Sequence, residues 1–426
     1  MRPFKDQCGV ALPLAMFLLV GLTGLLVVFV SMAGTDPAVS ANLNDTTRSR
    51  YAADAGIEWA FDQLVQQTAL DPMSNFKAVV TAVLNNNGGV MATNMTLPGL
   101  TPTFGTFSVT ARNDNLVNDD QITGQPVDLL GGSNTDTNDV VILTATGTFN
   151  GVTRQIQQVV MHVDMNIPGG LNLPGLGTNT AFSGNAFTIN GNDTNVDDTA
   201  GTCAPVWGIG VGDAGMEAAV QSSLSNQQKD NVTGKPQSAG PGFGDNTITP
   251  DATLTPAQIA KFVNAVKPYA DMSLQATGSS QLDYQNVGDT CSTNLGDPNC
   301  WGTRSNPKIV YVKGSLDPGQ AFYALRMSGN STGAGILIVE DGDVSITGNF
   351  RWEGLVVVTG QYSGLWYGGG GNQTIYGGVV VNETALANSE VEVDSMGNAK
   401  VLYSCQAVNN VRNMRRLFRL ASWREL

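Results

Sequence analysis

The sequence predicts an α+β protein in three parts. A long N-terminal helix, transmembrane in its first half, leads into an antiparallel sheet, and a C-terminal β-rich domain of short, β-helix-like solenoid coils follows. Three observations predict it. Residues 10–30 (VALPLAMFLLVGLTGLLVVFV) carry no charge. Two apolar segments meet at Asn150-Gly151, a dipeptide suited to the positive φ angles of a tight hairpin turn. Beyond about residue 167, short Val/Ile runs recur, each closed by Gly or Asn.

Bulk composition agrees. A chain of 426 residues exceeds one ordinary domain and fits two or three. Its 50 glycines among 426 residues, about 12%, stand against an average near 7%, as a turn-rich extracellular β protein requires. With 42% hydrophobic residues the chain has enough apolar material to fold. A net charge of −14 suits solubility outside the cell and argues against nucleic-acid partners, whose phosphates call for Lys and Arg.

As a helix, residues 10–30 would span roughly 31 Å, the thickness of a bilayer core. Arg2 and Lys5 precede them, which keeps the N-terminus cytoplasmic and exports the rest. A cleaved secretory signal, a plain anchor and a prepilin-type leader compete here. The apolar run exceeds that of an ordinary signal peptide. Beyond it, Val39, Leu43, Tyr51, Ala52, Ala55, Trp59, Ala60 and Leu64 continue a helical stripe to about residue 70, with a kink expected at Pro37.

Two motifs at this end, Gly9-Val10-Ala11-Leu12 before the apolar run and Tyr51-Ala52-Ala53-Asp54-Ala55-Gly56-Ile57-Glu58 after it, resemble the PilX-type minor pilins of type IV pilus systems. The resemblance covers roughly residues 1–65; Asp54 stands where the family usually has Glu. It implies a leader, residues 1–9, removed by a prepilin peptidase between Gly9 and Val10. It implies residence in the inner membrane as a single-pass protein with its C-terminal part outside the cytoplasm. An inner-membrane assembly platform would then extract the helix into a surface filament among other pilins and minor pilins. The small residues of the second motif are expected to let the helix approach another backbone closely. Major pilins carry Glu at the fifth mature position, here Leu14. That departure, shared with the large tip pseudopilin of type II secretion, implies a tip or initiation role.

Residues 71–166 are expected to form a pilin-like α+β head: a short helix over 71–84, then strands over 105–112, 140–149 and 152–164. The lone histidine, His162, falls in the last strand and is read as structural. The loop over 113–139 carries Asp114, Asp119, Asp120, Asp136 and Asp139. Its oxygen density suits calcium, but the spacing is not that of an EF-hand, and a solvated, turn-forming loop is the reading preferred over calcium. No other cofactor and no metal site is assigned.

Residues 167–408 are expected to form the solenoid, with a capped helix inserted near 255–268. The runs at Gly335, Gly354 and Gly378 step by 19 and 24 residues, with their Val/Ile residues placed in one inward-facing ladder. Cys291 and Cys300 flank a short polar loop and are expected to pair, leaving Cys203 with Cys405 as the default second disulfide. Zinc ranks lower, because no CxxC spacing is present. The tract 362–371 (YSGLWYGGGG) reads as an exposed loop whose Trp366 and Tyr367 would stack on a surface glycan or another cell-surface ligand, or else pack over the end of the solenoid. Asp341 and Asp343 are read as turn residues rather than catalytic acids. Residues 409–426, with Arg412, Arg415, Arg416, Arg419 and Arg424, are expected to form a basic amphipathic helix, docked by default on the acidic body, with a partner pilin or anionic lipid as the alternatives.

The expected function is a structural, non-enzymatic filament subunit acting in pilus assembly and adhesion. The alternative is a membrane-anchored surface binding protein with a β-solenoid domain that never enters a filament.

Overall fold

The computed structural model describes residues 11–70, 75–96, 104–176, 180–235, 247–277, 281–315, 323–385 and 393–426. Helix α1 (Ala11–Leu70) runs unbroken through Pro37. Its Leu12–Met32 stretch is bare. Its second half buries Ala53, Ile57, Ala60, Phe61 and Leu64, a 3–4 residue spacing that makes one apolar face. Helix α2 (Phe76–Asn85) is capped by Asn75, whose side chain accepts from the Ala78 N–H.

Strands β1 (Val90–Met95), β2 (Thr106–Asn113), β3 (Val140–Phe149) and β4 (Val152–His162) pair antiparallel in that order. The β3–β4 turn places Asn150 at φ 48° and Gly151 at φ 82°, the left-handed pair that a two-residue hairpin turn needs. One face of this sheet packs on α1. On the other, Val140, Ile142 and Val159 meet Ile122 of the 114–139 loop.

The fifth strand of this sheet comes from the far end of the chain. The expected basic helix over 409–426 is instead a helix at Cys405–Arg412, a 3₁₀ turn at Arg415–Leu417 and a strand at Phe418–Glu425. That strand lies antiparallel to β4, Phe418 opposite His162 and Trp423 opposite Gln158. The apolar positions Val411, Met414, Leu417 and Phe418 are buried as a helical stripe requires. The backbone extends after Leu417 because the open edge of β4 supplies hydrogen bonds. Phe418 completes an aromatic group, its ring 4.6 Å from His162, 5.6 Å from Phe76 and 6.3 Å from Phe61.

The rest of the chain forms two parallel-stranded sheets. In the larger, the order along the main path is Ile248–Pro250, Trp207–Val211, Gly169–Leu173, Asn372–Ala385, Asn349–Gln361, Asn330–Glu340, Lys308–Lys313, Met272–Gln275. The second runs Leu282–Gln285, Tyr323–Ser328, Asp343–Ile346, Leu365–Tyr367, Val393–Met396, Thr180–Ser183. The chain therefore enters in the middle of the stack and builds outward to Ile248–Pro250. It then crosses by the helix Pro256–Val266 to the far edge and climbs back until Asn372–Ala385 lands beside Gly169–Leu173. Buried Asn172 marks that seam, donating to the Gly169 carbonyl at 2.7 Å and to the Val379 carbonyl at 3.0 Å. The crossover helix starts at a capping box, Thr255 with Gln258.

The Val/Ile runs do not form one inward ladder. Val310, Leu337, Val339, Val356, Val358, Val379 and Val381 face the main core. Ile309, Ile336, Ile338, Leu355, Val357 and Val380 face the other way, under Ile259, Phe262 and Val263 of the crossover helix and Val408 and Val411 of the C-terminal helix. Sheets covered on both faces read as continuous apolar runs, so the runs carried no sign of which way each residue faces. The glycine step also shifts by one residue: Gly335, Gly354 and Gly377 stand in register, with φ of 128°, 138° and 135°. A Cβ on Gly354 would lie 2.1 Å from the Gly335 carbonyl oxygen, so no larger residue fits this corner.

The expected exposed loop over 362–371 contains a strand, Leu365–Tyr367. Tyr367 is buried and donates to the Lys400 carbonyl at 2.9 Å; it cannot stack on an external ligand. Two-residue alternation turns Leu365 and Tyr367 inward, and Trp366, half-buried, bonds Asp394.

Candidate assembly surface

The largest unpartnered apolar surface among the described residues is the Leu12–Met32 stretch of α1. The span Leu12–Met32 is long and apolar enough to cross a membrane, and none of it is buried. This is compatible with single-pass anchoring. Leu14 lies within it, exposed. Beyond the span, Val39, Leu43 and Tyr51 remain more than half exposed. With Thr47 between the last two, they stand four residues apart and so share one side of the helix.

The small-residue motif divides between inside and outside. Ala52, Ala53, Gly56 and Ile57 are buried, Asp54 and Ala55 half-buried, Tyr51 and Glu58 exposed. A Cβ on Gly147 of β3 would come within 2.0 Å of the Ser49 carbonyl oxygen and 2.4 Å of the Ala53 nitrogen. A Cβ on Gly56 would meet the Phe107 ring at 3.0 Å. The backbone that the motif approaches closely is thus β3 of its own chain. At the neck, where α1 leaves the sheet, Arg48 lies 4.9 Å over the Phe149 ring and Arg50 lies 5.2 Å over Trp423. Gly9 and Val10 fall outside the described residues.

His162 sits inside the head, its Nε2 2.9 Å from the Arg412 carbonyl. Cys203 is bonded to Cys405, and Cys291 to Cys300. Loop-closure entropy favours the first, roughly 5 kcal/mol for a separation of 202 residues against roughly 3 for a separation of 9. Asp193 accepts from the Cys203 and Cys405 N–H groups, both at 2.9 Å. With the two sulfurs it makes a group of three potential ligand atoms within 4.8 Å, but the sulfurs are joined to each other and offer no thiolate. Asp341, at φ 59°, accepts from the Gln361 N–H at 2.8 Å and pairs with Lys313. Asp343 begins the next strand.

Sequence reasoning missed two hollows. One, about 250 Å³, is lined by Val196, Arg304, Glu353, Gln406, Asn409 and Asn410. Burial disfavours the Glu353 charge, but hydrogen bonds from Arg304 and Arg351 outweigh it and hold its carboxyl below the usual range. The other, about 380 Å³, lies between α1, α2 and β1, beside Trp59, Gln63, Val83 and Met91. Each draws on segments far apart in the chain, which no local motif announces.

No family model matches the chain, and no curated protein matches it. Among solved structures the chain is similar to a competence-associated pilin, ComZ, from Thermus thermophilus. The identity is 11% and the TM-score 0.26, over 90% of this chain and 97% of that one. At that score the likeness fixes neither fold nor function.

Proposed function

We propose that the chain is a structural subunit of a type IV pilus or pseudopilus-like filament, a minor pilin placed at the tip or acting in initiation, with no catalytic role. The observation that carries this reading is the asymmetry of α1. Its second half is locked onto an antiparallel sheet by backbone contact at Gly147, and its Leu12–Met32 span is apolar and bare. Lipid and a bundle of neighbouring helices are both apolar environments for such a segment, so it can move from one to the other intact. The exposed stripe Val39, Leu43 and Tyr51 extends the contact surface beyond the bilayer. The parallel stack is read as a short β-solenoid carried outside the membrane as a binding or adhesive head.

The test is N-terminal sequencing and intact mass after coexpression with a prepilin peptidase, followed by analysis of sheared filaments. A chain beginning at Val10 and recovered in filaments is the expected result. A chain left uncut, or cut near Gly34, would overturn it and leave a membrane-anchored surface binding protein. The tip assignment is tested by Leu14→Glu, which is expected to redistribute the protein along the shaft; unchanged position counts against it.

A further inference from the structure

The segment between β2 and β3 folds into a knot of side-chain hydrogen bonds at the end of the head sheet where β2 stops and β3 starts. Asp128 sits at its centre, accepting from the N–H groups of Gly131 and Thr137, the Thr137 hydroxyl and the Asn113 amide. The Asn113 Nδ2 also faces the carbonyls of Gly132 at 2.7 Å and Thr135 at 2.9 Å. Three oxygens around this nitrogen fix the amide's orientation. Asn138 Nδ2 donates to Asp114 Oδ2 at 3.0 Å, and the Asn138 N–H to Asp136 Oδ1 at 3.1 Å.

This leaves four oxygens shut off from solvent with no hydrogen-bond donor: Asn113 Oδ1, Asp114 Oδ1, Asp136 Oδ2 and Asn138 Oδ1. Asn113, Asp114 and Asp136 are at most 3% exposed. Buried acceptors are ordinarily paired, and an orphan calls for an explanation. Four in one knot call for a common one. The nearby cations are engaged: Arg112 binds Asp119 through both nitrogens, and Lys77 sits 3.1 Å from Asp139. Burial, with Asp128 and Asp119 close by, pushes the Asp114 carboxyl up, and burial with Asp139 pushes Asp136 up to about 7. The knot is a concentration of buried oxygen in which four acceptors have no donor among the described residues.

We propose that this knot binds one calcium ion through the orphaned oxygens of Asn113, Asp114, Asp136 and Asn138. Ligands that are all oxygen suit a hard cation. Among the described residues the knot does not bring three carboxylates within 4.8 Å of one another, so amide and carbonyl oxygens must share the coordination. Calcium accepts that mixed, irregular set; magnesium demands a tighter octahedron. The ion would brace a junction, because Asn85 of α2 donates to the Asn134 carbonyl and Lys261 of the crossover helix to Gln125.

The test uses the full chain in mild detergent, stripped with a chelator and titrated with calcium chloride by calorimetry. The expected result is one saturable site with half-saturation between about 0.1 and 1 mM, typical of extracellular calcium modules. A rise of several degrees in Tm at about 2 mM calcium should accompany it. Asp114→Asn and Asp136→Asn should each abolish both responses while leaving the metal-free Tm unchanged or higher, since each removes a buried charge. Asp283→Asn, exposed in the body, should keep both. Absence of saturable heat and of the Tm shift would overturn the proposal, as would full retention of both in either knot variant. An equal response to magnesium would overturn the choice of ion.

Discussion

In the head, strands that touch in the sheet follow one another in the chain, with one exception, and a two-residue turn fixes the β3–β4 pairing. In the body, the strand from the start of the domain lies against the strand from near its end, and parallel runs of almost interchangeable Val and Ile residues fill the stack. The head is thus assembled by local instruction and closed by one late strand. The body is assembled by shape, with glycine corners and a seam residue, Asn172, setting the register. The two differ in how far along the chain their stabilising contacts reach, and substitutions should separate them.

The largest effect is expected where the regions depend on each other. Phe418→Ala removes a buried ring from the aromatic group it shares with Phe61, Phe76 and His162 and should cost about 4 kcal/mol. Hydrogen exchange should quicken across β2 to β4 and stay slow over 336–340 and 355–358. Faster exchange in the body would mean that the two regions unfold together. Replacing Cys203 and Cys405 by Ser should cost about 3–4 kcal/mol with the opposite pattern, loosening the seam beside Gly169–Leu173 and sparing the head.

Gly147→Ala sharpens the view of α1. The added methyl would overlap helix backbone, and a cost of about 3 kcal/mol, near the top of the overpacking range, is expected in denaturant melts. Intact stability would mean that the helix slides on the sheet with little resistance. The smallest effect is expected at Glu353, whose partner Arg304 is half exposed and solvent-screened; Glu353→Gln should cost about 1 kcal/mol at neutral pH. The folded carboxyl titrates below the ordinary glutamate value of 4.5. Its contribution is therefore complete above that value and fades as pH falls through the lower folded one. The melting curves of wild type and variant should converge in acid; a constant gap would show that the charge is not what matters.

Much of this architecture was legible. Residues 10–30 announced α1, Asn150-Gly151 the β3–β4 hairpin, and the capped stretch beginning at Thr255 the crossover helix, since each signal is local and has one physical cause. The C-terminal strand was not, because Val411, Met414, Leu417 and Phe418 satisfy a helical stripe and only the free edge of β4 decides otherwise. The order of strands in the stack was hidden for a related reason: coils of similar composition do not state which neighbour they meet. The tract 362–371 was misjudged because its glycines outweighed the alternation of Leu365, Trp366 and Tyr367. The Asp/Asn loop displayed its oxygens, but its spacing could not say which would be left without donors.

The seam between Gly169–Leu173 and Asn372–Ala385 bears on how the chain matures. The bond from Asn172 to the Val379 carbonyl spans 207 residues, and contacts of such reach form late and slowly. Synthesis from the N-terminal end exposes the early strands long before the strands that will cover them. Until Asn372–Ala385 emerges, the inner flank of Gly169–Leu173 is an open β edge, the kind of surface that recruits strays. Closure of the stack is thereby coupled to completion of the chain, and the open edge lasts through that interval.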